Sequence, residues 1–134
     1  MKLIALLFFL IFACNGLSGQ NLIGHKYDDI RNYLKTNRKD LSFNKVNNTK
    51  FNYLKYTDSS DSQTMLFFLD DDSICRSIRI ICDASSKSQR IKEFNSIYRK
   101  RGENKWIDKH EGKDYLIELT DETWASVFTF SPVK

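Results

Sequence analysis

Proline occurs only once in the 134-residue chain, at Pro132, and glycine only five times, twice within the first nineteen residues. One late proline leaves no linker between domains. So few glycines leave no loop of the kind that cradles phosphates, which argues against nucleotide binding. Histidine is equally scarce, with His25 and His110 alone. No Ser-centred nucleophile elbow, HExxH pair or zinc-type Cys/His spacing occurs, so no cofactor and no metal is expected. After residue 13 there is no apolar run near the roughly 20 residues that a membrane-spanning helix needs.

The one long apolar run comes first. Leu3 to Ala13 are eleven consecutive apolar residues behind Met1-Lys2, a length that fits the core of a secretory signal. Small and polar residues follow, Cys-Asn-Gly-Leu-Ser-Gly-Gln. Residues 1–20 therefore read as a signal peptide and 21–134 as one exported α+β domain, periplasmic or extracellular. Ordinary cleavage near Gly19 or Gln20 is the expectation. The alternative is lipidation at Cys14, since Ile11, Ala13 and Cys14 match part of a lipobox although Phe12 is larger than usual there. The Ser-Gly-Gln ending resembles the leaders of exported Bacteroidota proteins, and the Asn-, Lys- and Ile-rich body is similar in character.

Without the leader's single lysine, 20 cations face 17 acids, a net charge of +3. A nucleic-acid binder usually concentrates more basic charge on one face, so no nucleic acid is expected as a partner. Cys75 and Cys82 remain. On one uninterrupted strand they would lie ~23 Å apart and point to opposite faces, too far for a bridge. The expectation is two small hydrophobic residues shielded within the sheet.

Ile23, Tyr27, Ile30 and Leu34 recur at helical spacing, with Asp28 and Asp29 in the first turn, where they favour the helix dipole. Four strand-like runs follow: Leu41–Val46, Phe51–Thr57, Thr64–Leu69 and Ser73–Cys82. The intervening "NNTK", "DSSDS" and "DDD" are good turn formers. In the fourth run Ile74, Ile78 and Ile80 alternate with polar residues, and Arg76 breaks the pattern. A second helix carries Ile91, Phe94, Ile97 and Tyr98, with Ser86 and Gln89 as a capping box and Arg99-Lys100-Arg101-Gly102 as its basic end. Lys105–Asp108, Tyr115–Leu119 and Thr123–Phe130 complete an order α-β-β-β-β-α-β-β-β, two helices packed on an antiparallel sheet.

This order, with "IGHKYDDIRNYL" around the first helix, resembles the tandem helix-plus-meander architecture of β-lactamase inhibitor proteins. The first half is also similar to the small lipoprotein domain of the outer-membrane barrel-assembly machinery, where a glycine precedes the first helix as Gly24 does here. The resemblance implies protein binding without catalysis and carries over no functional residue.

Eighteen residues are aromatic, and Trp106, Tyr115 and Trp124 fall on successive strands. They are the candidate binding residues on an exposed sheet face, because Trp and Tyr dominate interface hot spots. Core packing is the competing account, strongest for Trp124 through its parity with Phe128 and Phe130. The catalytic alternative is a small secreted, nuclease-like hydrolase using His25 and His110 as general acid and base. Asp70, Asp71 and Asp72 read as turn chemistry rather than a cation loop, since they lack the alternation and glycine of an EF-hand. "NNT" at 47–49 is a formal glycosylation sequon. The reading is thus a non-catalytic exported domain that binds a protein or envelope component through its sheet. Intact mass of the exported protein will show a start at Gln20 or Asn21; a lipid-bearing mass on Cys14 would instead establish an anchor.

Overall fold

The computed structural model describes residues 21–45, 52–60 and 62–133. The leader, the sequon and the ends of two strand-like runs, Val46 and Phe51, lie outside these residues. The fold is α+β and mostly sheet, with eight antiparallel strands and two helices. Helix α1 (Tyr27–Asn37) leads into β1 (Leu41–Asn44), β2 (Tyr53–Asp58), β3 (Gln63–Leu69) and β4 (Cys75–Asp83). A single 3₁₀ turn, Ala84–Ser86, then opens α2 (Lys87–Ile97), followed by β5 (Arg99–Gly102), β6 (Lys105–His110), β7 (Lys113–Asp121) and β8 (Ala125–Pro132).

Two halves with the same plan, one helix and four strands, therefore meet in a single sheet of order β1-β2-β3-β4-β8-β7-β6-β5. The expected order lacked one strand. Arg99-Lys100-Arg101-Gly102, read as the basic end of the second helix, is the edge strand β5, paired with β6 across a register shift. Helix α2 stops earlier because Tyr98 takes extended backbone and buries its ring against Phe94 and Phe130. The capping box does not form: Ser86 makes no side-chain cap, and the 3₁₀ turn leads directly into the helix. Ile97 is exposed rather than part of the apolar stripe. In α1, Asp28 and Asp29 do occupy the first turn, and Ile30 and Leu34 are buried. Ile23 lies in the turn before the helix, and Tyr27 is exposed.

Cross-strand register arranges the core in continuous rows. Trp106, Ile117, Phe130, Ile78, Phe67 and Leu54 are successive partners across six strands. A second row runs Leu119, Phe128, Ile80, Met65, Tyr56 and Phe43. Such neighbours are the units of sheet stability. Residues of both helices meet this face. Phe94 of α2 places its ring 4.6 Å from Phe128, 5.6 Å from Trp106 and 6.0 Å from Phe130. The Arg31 guanidinium of α1 lies 3.7 Å from the centre of the Phe43 ring. The segment before α1 is pinned as well, since buried Asn21 donates through Nδ2 to Asp108 on β6 at 2.9 Å.

Trp106 donates its indole N–H to Asn95 Oδ1 on α2 at 2.8 Å. Asn95→Ala will leave that buried donor without its partner and cost about 1–3 kcal/mol in urea unfolding. Phe128→Ala, at the meeting point of helix and sheet, will cost about 3–5 kcal/mol.

Candidate binding face and the placement of the reactive groups

The three aromatic candidates have different fates. Trp106 is 1% exposed beneath α2, and Tyr115 is buried on the same face opposite Asp108 and Pro132. Neither ring stands on an exposed sheet face. Trp124 is 87% exposed. It does share parity with Phe128 and Phe130, but β8 begins only at Ala125. Trp124 sits in the connection before it, closed by the Glu122 N–H donating to the Ala125 carbonyl at 2.8 Å. Alternation carried one residue too far therefore placed Trp124 in the core, where it is not found.

Among the described residues, the sheet face opposite the helices is covered by no helix. Its central row is Lys105, Glu118, Thr129, Arg79, Leu66, Lys55 and Asn44, and a flanking row is Thr120, Val127, Ile81, Thr64, Thr57 and Ser42. Tyr53 and Phe68 pair on the same face with ring centres 5.9 Å apart. The Arg79 guanidinium lies 5.3 Å from the Phe68 ring centre. Five cations occupy this face, Lys55, Arg79, Arg99, Lys105 and Lys109, against Asp83, Asp114 and Glu118. None of the five makes an ion pair among the described residues. A shallow cleft of about 380 Å³ lies beside Trp124, lined by Arg79, Ile81, Thr120, Glu122, Ala125 and Val127.

The histidines are held separately. The His25 N–H donates to the Leu22 carbonyl (3.1 Å) and its carbonyl accepts from the Cys75 N–H (2.9 Å), so backbone bonds fix it at the junction with β4. His110 ends β6, beside a two-residue turn in which Glu111 and Gly112 both have positive φ, as a type I′ hairpin requires. Its Nε2 is 3.7 Å from the Glu111 carboxylate. Among the described residues no side-chain hydrogen bond or ion pair joins the two imidazoles, and Lys113 faces His110 as its cross-strand partner.

Asp70 shapes its turn. Its Oδ1 accepts from the N–H groups of Asp72 (2.9 Å) and Ile74 (3.0 Å), and its Oδ2 accepts from Arg76 Nε at 2.5 Å. The Ile74 N–H, aided by Arg76, holds its carboxyl below the usual range. Asp71 and Asp72 point into solvent.

Cys75 and Cys82 share the buried face, contrary to the opposite parity expected of them. Ser77 pairs with Phe68 but Cys75 pairs with Leu69, so Arg76 is the extra residue of a β-bulge. A bulge inverts the alternation beyond it. It turns Cys75 inward and Arg76 outward, which accounts for the irregular arginine in the sequence. Both thiols are free and buried. Burial pushes Cys75 up to about 12 and raises Cys82 as well.

A protonated, enclosed thiol is a poor nucleophile. At pH 8 the native protein will leave both cysteines unlabelled by DTNB for as long as urea-unfolded protein takes to react completely. Because Cys75 holds its proton in the fold above the ordinary value of 9.0, its contribution to stability is complete below that pH. It is lost as pH climbs toward 12, and alkaline unfolding curves will show the decline. Compared with family models, curated proteins and solved structures, the chain matches none, so its own geometry carries the functional reading.

Proposed function

We propose that this chain is an exported, non-catalytic domain that binds a protein or cell-envelope component through the open face of its sheet, with Trp124 as the anchor at the rim. The observation that carries the reading is Trp124 itself, 87% exposed next to a cleft bounded by Arg79, Ile81 and Val127. Exposed tryptophan leaves a large apolar surface in water, and aromatic and arginine side chains dominate interface energetics. Arg79 in that cleft, with the further cations along the open face, favours an acidic partner surface, which they would steer by long-range attraction. Among the described residues no side-chain hydrogen bond links His25 to His110, so the hydrolase alternative draws no support from one.

The test compares retention of envelope proteins on the immobilised exported domain with that on three variants. Trp124→Ala and Arg79→Glu will each weaken retention of the wild-type partner by tenfold or more, consistent with loss of ~2 kcal/mol at a hot spot. Trp124→Ala will leave thermal unfolding nearly unchanged, as expected of a solvent-facing position. The double variant His25→Ala/His110→Ala will retain the partner. Undiminished retention by both sheet-face variants would sink the proposal.

A further inference from the structure

The far end of the sheet from Trp124 holds a second cleft, of about 470 Å³, lined by Ile23, Gly24, Arg76, Lys113, Tyr115 and Pro132, with Asp114 and Val133 at its margin. Its volume lies within the range of small-ligand sites. The floor is apolar, supplied by Ile23, Tyr115 and Pro132. Gly24, at φ +92 with nothing near the position of a Cβ, turns the chain without narrowing the opening.

Two cations reach this cleft from strands that are not neighbours. Arg76 comes from β4 and is the bulge residue; bulges often re-aim a side chain beside a functional site. Its orientation is fixed from one side, because Asp70 takes Nε while its own carboxylate is anchored by two backbone N–H groups. The two terminal guanidinium nitrogens make no hydrogen bond among the described residues. Lys113, at the start of β7, has no ion-pair partner among the described residues. A guanidinium with one nitrogen clamped and two donors free presents a fork matched to a carboxylate.

The acid at the margin limits the charge of the ligand. Asp70 on Arg76 and Asp114 at the margin already offset the two cations, so the cleft offers donors to one carboxylate without a surplus of positive charge, and a second negative charge would meet Asp114. We propose that this cleft binds a single carboxylate attached to a compact apolar body, the carboxylate on Arg76 and Lys113 and the apolar part on Ile23, Tyr115 and Pro132. A free carboxylic acid and the C-terminal end of a polypeptide both present this chemistry. The site is separate from the sheet face, so either proposal can fail without the other.

The experiment uses the isotopically labelled exported domain and follows its amide resonances. The probes are N-acetyl-phenylalanine, its carboxamide, phenyl phosphate, and a tripeptide ending in phenylalanine with a free C-terminus. N-acetyl-phenylalanine will shift the amides of Gly24, Lys113 and Tyr115 in the millimolar range. The carboxamide and the dianionic phosphate will bind at least tenfold more weakly. Lys113→Gln and Arg76→Gln will each lower affinity about tenfold, the size of one charge-assisted hydrogen bond. Lys113→Gln is exposed and keeps the fold intact even if Arg76→Gln disturbs its turn. A tripeptide that binds more tightly than the single residue assigns the site to chain ends, and the reverse assigns it to free acids. Equal binding of acid and carboxamide, tighter binding of the phosphate, or shifts that bypass these residues would overturn the proposal.

Discussion

The pairing of β4 with β8 joins the two halves of the molecule. Each half is a helix followed by four antiparallel strands, and each alone would leave its last strand as a bare edge. Joined, these strands become the centre of the sheet, and Ile78 with Phe130 and Ile80 with Phe128 carry the core rows from one half into the other. The aromatic ring of Phe94 sits on this seam, in contact with both phenylalanines of β8. Among the described residues β1 and β5 are the edges, each four residues long. The β5 edge carries three cations and a register shift, which discourage a further strand from pairing there.

One inserted residue in β4 governs much of the chemistry. Without the bulge at Arg76, the period-two alternation would drive a charged side chain toward the core and expose the Cys75 thiol. With it, Cys75 faces inward at the position opposite Leu69, and the arginine emerges beside Asp70. The same irregularity thus silences a nucleophile and presents a cation. The Asp70 turn makes that arrangement definite, since its carboxylate is held by backbone donors before it receives the guanidinium.

Much of the architecture was legible because local signals agreed. Runs of Asp and Ser marked the turns after β2 and β3, and alternation marked the strands whose two faces differ. Ile30 and Leu34 were visible as part of the buried stripe of α1, and Phe94 as one of the four stripe residues of α2. The misreadings share a cause, which is that tertiary contacts decide where a period stops. Arg99-Lys100-Arg101-Gly102 looked like a helix terminus by composition, but burial of Tyr98 ends the helix one turn earlier and leaves the basic residues extended. Trp124 matched the parity of β8 without belonging to it. Opposite parity separated Cys75 from Cys82 only while the strand was taken as unbroken, and no sequence signal distinguished the bulge beyond the misplaced arginine itself. The fate of Trp106 and Tyr115 depended on which face the helices cover, and successive strands alone do not specify that.

The division of the sheet into a covered and an open face sets what each end can do. On the covered face most large side chains are buried, and clefts open at its margins, one of them between α1 and the β1–β2 edge beside Arg31, Phe43 and Tyr56. Lys113 and Arg76 meet at one end because β7 begins where β4 begins. Trp124 stands at the other end because β7 ends where β8 begins. Both clefts nevertheless draw on the same two strands: Arg76 and Pro132 line one, Arg79 and Thr129 the other. Three positions along a strand span ~10 Å, about the distance over which exposed charges communicate at 0.1 M salt. The β4–β8 seam therefore lines both clefts, and the charges at one are only partly screened from the other.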